Sequence, residues 1–229
     1  MNTKHKKPTL TKKQRHRLRV QQVRRQKIFL TCLFLLIVGC ILLRFSKFSG
    51  RQEEAHQINA ACEAYRDEVS SEAAQYDMSD YVDLILAVMM QESSGQGTDP
   101  MQSSEGAYNT RYPQQPNGIT DPSYSISCGI QELKYALDKA GCTGPTDLSK
   151  IRLALQAYNF GADSYFAYLE ENGQTVWTAQ SAQAFAQMAS GGTQRDEDDP
   201  LHDPAGPWDY GEQYYPDHVL RYYHLDNNS

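Results

Sequence analysis

A chain of 229 residues with 22 Lys/Arg, 28 Asp/Glu and a net charge of −6 is long enough for one ordinary domain and a short additional segment. The charge is unevenly divided. Residues 1–51 hold 14 of the basic residues and none of the acidic ones, which leaves eight basic against 28 acidic residues, a net charge of −20, over residues 52–229. A segment that acidic is not built to grip nucleic acid, and it is repelled by acidic wall polymers.

Residues 1–27 contain eleven Lys/Arg and no acid, and Ile28–Leu43 carry no charge at all. The pattern predicts a basic cytoplasmic tail (1–27), a transmembrane signal anchor (28–45) and a juxtamembrane linker (46–56). The basic flank is far stronger on the N-terminal side, so the N-terminus is expected in the cytoplasm and residues 57–229 outside the cell. The apolar stretch is near 24 Å at about 1.5 Å per residue. Phe45 and snorkelling Lys27, Arg44 and Lys47 extend it. Arg44-Phe-Ser-Lys-Phe48 follows where a cleavable signal would need small residues, so the anchor is expected to be retained.

Helical patterns dominate the remainder, which reads as one mostly α domain. A first helix is expected over 57–76. The run Asp80-Tyr-Val-Asp-Leu-Ile-Leu-Ala-Val-Met-Met-Gln-Glu92 is apolar on almost every face, so its helix should be buried. Ser93-Ser-Gly95 stops it. Burial and the negative end of the helix dipole both raise the pKa of Glu92. A carboxyl kept protonated near neutral pH is what cleavage of a glycosidic bond requires. Residues 93–122 are rich in Gly, Pro, Ser, Asn and Gln and read as a long loop, a length that usually serves function. Helices resume near 124–140, 147–160, 162–171, 178–189 and 216–224, with a second polar loop at 190–212. Cys128 and Cys142 are spaced for either a bridge or two free thiols. No CxxC, HExxH or clustered Cys/His spacing points to zinc, and no metal or organic cofactor is expected. His202, His218 and His224 are present, but no cysteine has the context of a Cys/His hydrolase.

Five segments, in order, carry a resemblance. They are Gln91-Glu92-Ser93-Ser94-Gly95, Asp99-Pro100-Met101-Gln102-Ser103, Tyr124-Ser-Ile-Ser-Cys-Gly129-Ile-Gln-Glu-Leu133, Ala154-Leu-Gln-Ala-Tyr158-Asn159-Phe-Gly161 and Tyr215-Pro-Asp-His-Val219-Leu-Arg-Tyr-Tyr223. Together they resemble the goose-type lysozyme and lytic transglycosylase superfamily, and in particular the muramidase domains of cell-wall hydrolases from Gram-positive conjugative elements. Such proteins often add an NlpC/P60-type peptidase, for which this sequence is expected to leave no room. The resemblance implies a lysozyme-like helical fold and cleavage of the β-1,4 bond between N-acetylmuramic acid and N-acetylglucosamine. It implies Glu92 as the acid. It also implies peptidoglycan glycan strands as substrate, with components of a conjugation or type IV secretion machine as partners.

Around that acid, Ser93, Met101, Gln102, Tyr158, Asn159 and Tyr215 are the candidate substrate-binding residues. Gln102 is neutral and can both donate and accept. Tyr158 and Asn159 offer a ring and an amide to a sugar and its acetamido group. Tyr215 is placed to hydrogen-bond Glu92. Asp99, Glu105 and Asp121 lie in the long loop, and Asp99 is the candidate base. An inverting hydrolase needs a base roughly 6.5–9.5 Å from the acid to hold a water. A lytic transglycosylase needs none, because the muramyl 6-hydroxyl attacks internally and leaves a 1,6-anhydro end. The short spacing between Glu92 and the Met-Gln pair departs from the transglycosylase pattern and favours hydrolysis. A noncatalytic glycan-binding or secretion-assembly protein is the alternative from another class.

Overall fold

The computed structural model describes residues 56–199 and 201–224. The expected cytoplasmic tail and anchor lie outside these residues, as does nearly all of the linker. Among the described residues no helix is long and apolar enough to cross a membrane.

Among the described residues there are eight α-helices, α1 (Ala60–Glu63), α2 (Arg66–Gln75), α3 (Val82–Glu92), α4 (Pro122–Ala140), α5 (Leu148–Phe160), α6 (Ala162–Glu171), α7 (Ala179–Ala189) and α8 (Tyr215–Leu220), with a short 3-10 helix, Ser79–Tyr81, leading into α3. The only β pairing among the described residues is an isolated antiparallel bridge between Gln194 and Trp208. The expected helix at 57–76 is broken in two. Asn59 caps the first piece, its side chain accepting from the Cys62 amide at 2.8 Å, and Arg66 opens the second by pairing with Glu63 and Asp83, each at 2.7 Å. Helix α4 begins earlier than the apolar pattern suggests, because Asp121 caps it and Pro122 occupies its first turn, where a missing N–H costs nothing. Helix α8 stops at Leu220, short of the expected 224.

The core forms around α3 and α5. Leu84, Ile85, Leu86, Ala87, Val88 and Met89 are all fully buried. Six consecutive buried residues leave no solvent face, so α3 is packed on every side. Each large member contributes about 1.5–3 kcal/mol by leaving water. Helix α5 lies against α4, α6 and α8, while α3 lies against α1, α2 and α8. The C-terminal end of α3 is thereby delivered to the centre of the domain with its last residue at the surface of the core. Cys62, Cys128 and Cys142 are free thiols. Cys128 lies in the second turn of α4 and Cys142 just past its C-cap, so about 18 Å of helix separates Cys128 from Ala140, well beyond the Cα spacing a disulfide spans.

The long loop between α3 and α4 is held by polar side chains buried among its own turns. Asp99 is 1% exposed. Its carboxylate accepts from the amides of Ser103 and Ser104 at 3.1 and 3.2 Å, from Ser125 Oγ at 2.6 Å and from the Ser104 hydroxyl. Ser104 Oγ in turn accepts from the Ile119 amide at 2.8 Å, and Ser103 Oγ donates to the Ser125 carbonyl at 2.9 Å. Asn109 Nδ2 donates to the Ser104 carbonyl at 2.6 Å, and Arg111 lies 4.6 Å from the Tyr124 ring centre. One carboxylate thus ties the start of the loop to its middle and to α4. Met101 is fully buried and lies against Gly129, where a Cβ would come within 2.6 Å of the Met101 Cβ.

Asp99→Asn keeps the shape of the side chain but points an NH2 at groups that are already donors. The variant is expected to lose about 1–3 kcal/mol of stability, the cost of leaving buried partners of a charged group unmatched. It should also become sensitive to proteolysis within residues 93–121. Wild-type denaturation and wild-type resistance to protease would contradict the role of Asp99 as the organiser of this loop.

Candidate active site

Two hollows meet at the end of α3. The first, of about 590 Å³, is walled by Gln102, Glu105, Tyr108, Glu132, Tyr135 and Tyr158 among others. The second, of about 730 Å³, is walled by Gln91, Arg195, His202, Glu212, Tyr215 and His218 among others. Glu92 and Asn159 border both. Glu92 therefore sits where a chain laid through the two hollows would pass it, with room for a residue on either side.

The carboxyl of Glu92 is surrounded by protein at the floor of this groove while the residue keeps partial contact with solvent. Burial pushes its pKa up to about 7. The Tyr215 hydroxyl, which donates to Glu92 Oε1, works in the opposite direction, and the charges of Asp99 and Glu132 add to the rise. A carboxyl poised there can give up a proton near neutral pH. Tyr215 is itself fully buried, and its ring stacks on Tyr158 with centroids 6.3 Å apart and planes 23° from parallel. Such aromatic pairs are worth about 0.5–1.5 kcal/mol beyond their burial. The Tyr158 hydroxyl donates to the Met101 carbonyl at 2.9 Å. A continuous path of contacts thus runs from the long loop through Tyr158 and Tyr215 to Glu92.

The residues expected from sequence at this site separate into those that face the groove and those that build it. Gln102, Tyr158 and Asn159 line the first hollow. Gln102 has a left-handed backbone, φ 48°, with its Nε2 bonded to the Asp99 carbonyl at 2.9 Å and to Asn117 Oδ1 at 3.0 Å. A non-glycine residue held in that region costs roughly 1–3 kcal/mol and marks a position the surroundings enforce. Asn159 accepts the Glu212 amide on Oδ1 at 2.7 Å, so its NH2 is the part left to the groove. Tyr215 reaches the groove through Glu92.

Three expectations need correction. Met101 is fully buried, so its side chain supports the wall and does not line it. Ser93 donates to the Pro100 carbonyl at 2.8 Å and accepts from the Gly95 amide at 3.0 Å, which makes it a fastening for the loop. Asp99 has four donors on its two oxygens and is buried beneath the loop, so it has neither the exposure nor the spare lone pair that a water-holding base requires.

Sequence reasoning also missed residues. Glu132 walls the first hollow, and burial pushes its pKa up to about 7, against the Ala107 and Tyr108 amides that face it. Its Oε1 has no hydrogen-bond partner among the described residues, and it lies against Gly106, where a Cβ would fall 1.4 Å from it. The signal was available in α4, where Glu132 falls three residues after buried Gly129 and four before buried Ala136 and so shares their face. Glu212 and His218 wall the second hollow, brought there by the loop before α8 and by α8 itself.

Residues 60–223 match the lysozyme-like family. The chain is 35% identical over 173 residues to the bifunctional muramidase/DL-endopeptidase CwlT of Bacillus subtilis (strain 168), an alignment that covers 76% of this chain and 43% of that protein. It is 40% identical over 111 residues to the uncharacterized membrane protein YocA of the same organism, covering 48% of this chain and 45% of YocA. The chain spans less than half the length of these two relatives. Among solved structures, a protein described as similar to lipoprotein, NLP/P60 family, from Staphylococcus aureus subsp. aureus Mu50 is similar with a TM-score of 0.61 and 28% identity, over 76% of this chain and 56% of that one.

Tyr215→Phe removes the one contact that lowers the pKa of Glu92. An acid that must be protonated loses activity as pH rises through its pKa. The alkaline limb of the pH–rate profile should therefore move up by roughly one pH unit, the worth of one hydrogen bond of about 1–1.5 kcal/mol. An unmoved limb, measured on any cleavable glycan, would show that Tyr215 does not tune this group.

Proposed function

The chain belongs to the lysozyme-like family, and we propose that it is a peptidoglycan glycosidase, an N-acetylmuramidase that cuts the β-1,4 bond between N-acetylmuramic acid and N-acetylglucosamine. The observation that carries the reading is the Glu92 carboxyl, raised to about 7, at the junction of two hollows and fixed by Tyr215. Similarity to a protein named as a muramidase supports the choice of bond. Glu92 gives its proton to the bridging oxygen as the bond to the muramyl C1 breaks. Its burial stabilises the neutral form before the reaction, and the Tyr215 hydroxyl stabilises the carboxylate that forms, so the proton leaves at little cost. Gln102, Asn159 and the Tyr108 and Tyr135 rings supply amides and aromatic faces for the sugars.

A second reading has one observation in its favour. With Asp99 engaged in the loop, the base expected from sequence is missing from the groove, and a lytic transglycosylase needs no separate base. Its product is a 1,6-anhydromuramic end, about 18 mass units lighter than the reducing end left by water. The resemblance to conjugative-element muramidases supports local opening of the cell wall beside a secretion apparatus as the setting. The basic tail and apolar stretch of residues 1–45 support a membrane anchor with the enzyme on the wall side, and likeness to a protein named as a membrane protein agrees. Protease added to intact protoplasts should then remove the domain and spare the tail. A mature N-terminus downstream of residue 45 would contradict a retained anchor.

Glu92→Gln keeps the shape and loses the proton. It should fold normally and lose at least the roughly 10²–10⁴-fold typical of general acid catalysis. The assay is digestion of purified cell wall, with products read by mass spectrometry. Wild-type release of fragments by this variant would remove Glu92 as the acid.

A further inference from the structure

The second hollow holds a pair that the chemistry of Glu92 leaves unused. Glu212 Oε1 meets Nδ1 of His218, and Glu212 Oε2 accepts from Gln91 Nε2 at 3.1 Å. The backbone of Glu212 is fixed on both sides. Its amide donates to Asn159 Oδ1 at 2.7 Å, and its carbonyl accepts from Gln156 Nε2 at 2.9 Å. Arg221 closes the network by donating to Gln91 Oε1 at 3.2 Å and to the His218 carbonyl at 2.7 Å. The carboxylate is therefore a rigid post, and it holds the imidazole by Nδ1. The other ring nitrogen, Nε2, makes no hydrogen bond among the described residues, and His218 lines the hollow that Glu92 borders.

Helix α8 sets the relation to the acid. Tyr215 and His218 are three residues apart on it and so share a face, with about 5–6 Å between their Cβ atoms. Tyr215 reaches Glu92 with its hydroxyl. His218 stands about one helical turn along the same wall. A carboxylate on Nδ1 fixes the tautomer in which that nitrogen carries the proton, leaving Nε2 as an acceptor.

We propose that His218, oriented by Glu212, is the base that activates water for attack on the muramyl C1. The proposal rests on the reading of Glu92 as the acid. The step balances within the groove. Water loses a proton to His218 Nε2 and its oxygen bonds to C1. The bond from C1 to the bridging oxygen breaks, and that oxygen takes the proton of Glu92. Imidazolium and carboxylate then exchange protons with solvent. This pair fills the role left open by Asp99 with a group that faces the groove, and it makes the enzyme a hydrolase that inverts C1.

The charged groups around the ring act in both directions. Burial and the Arg221 guanidinium hold His218 below the ordinary histidine value, against Asp203. Glu212 pulls the same way as Asp203, and Glu92 and Arg195 face the same hollow. The neutral ring, with Nδ1 engaged by Glu212 and Nε2 free among the described residues, is competent to take a proton.

The test uses the full chain in detergent with soluble glycan chains from peptidoglycan. His218→Ala should bind glycan as the wild type does and lose about 10²–10⁴-fold in kcat. Added azide should restore turnover by bonding to C1 in place of water, giving a glycosyl azide; Glu92 still protonates the leaving oxygen. His218→Gln should repeat both results, which separates a lost base from a damaged fold. Glu212→Gln should keep part of the activity and move the acid limb of kcat/KM to lower pH, because the anion that favours imidazolium is gone. Wild-type kcat in both His218 variants, or a loss that azide does not repair, would overturn the proposal. So would wild-type products that are mainly 1,6-anhydro ends, although Glu92 would keep its role. Full activity in Glu92→Gln would instead overturn the muramidase reading itself.

Discussion

The Tyr215 hydroxyl meets the Glu92 carboxyl across 123 residues of sequence, and the rest of the domain is arranged to make that contact possible. The carboxyl is costly to keep where it is. Burial raises its pKa to about 7, and no cation among the described residues offsets the rise. A helix apolar on every side carries it into the centre of the fold, and α8 brings the single hydroxyl that receives it. The two opposing influences give the group its chemistry. Burial makes the neutral acid the resting form, while the tyrosine makes departure of the proton affordable.

The long loop contributes through a second buried carboxylate with the opposite character. Glu92 has one donor and is poised to change its charge. Asp99 has four donors, and they organise the chain around it. The loop so organised presents the Met101 carbonyl to Tyr158, and Tyr158 stacks on Tyr215. The loop is thus in contact with the acid through packed rings. Two acidic residues seven positions apart serve different ends because one is enclosed by amides and hydroxyls that donate to it and the other is buried with a single tyrosine hydroxyl as its partner.

Much of this was legible in the sequence. The apolar run ending in Glu92 required a buried helix with a carboxyl at its exit, and the order of the five motifs pointed to a lysozyme-like fold. Gln102, Tyr158 and Asn159 were placed at the groove by the same motifs. The role of Asp99 was not legible, because a base and a buried hub are both carboxylates in a polar loop. What distinguishes them is the number of donors that the folded loop supplies, and those come from Ser103, Ser104 and Ser125, residues without distinction in sequence. Met101 and Ser93 misled for a related reason, since a motif residue can build a site without facing it. Glu132 carried a signal on the buried face of α4, but its enclosure by the Ala107 and Tyr108 amides comes from the long loop and is not legible in the helix alone. Glu212 was hidden because Gln91 and Asn159, which it bonds, are 121 and 53 residues away, and His218 because its partner is Glu212.

The titration of Glu92 in the intact wild-type protein tests the central claim most directly. Selective ¹³C labelling of glutamate carboxyls allows NMR to follow this group alone, assigned by its loss in Glu92→Gln. The account predicts a midpoint near 7 for one glutamate that disappears in that variant. A midpoint at the ordinary value of about 4.3 would mean that the carboxyl is ionised at neutral pH, and the group would then be no general acid.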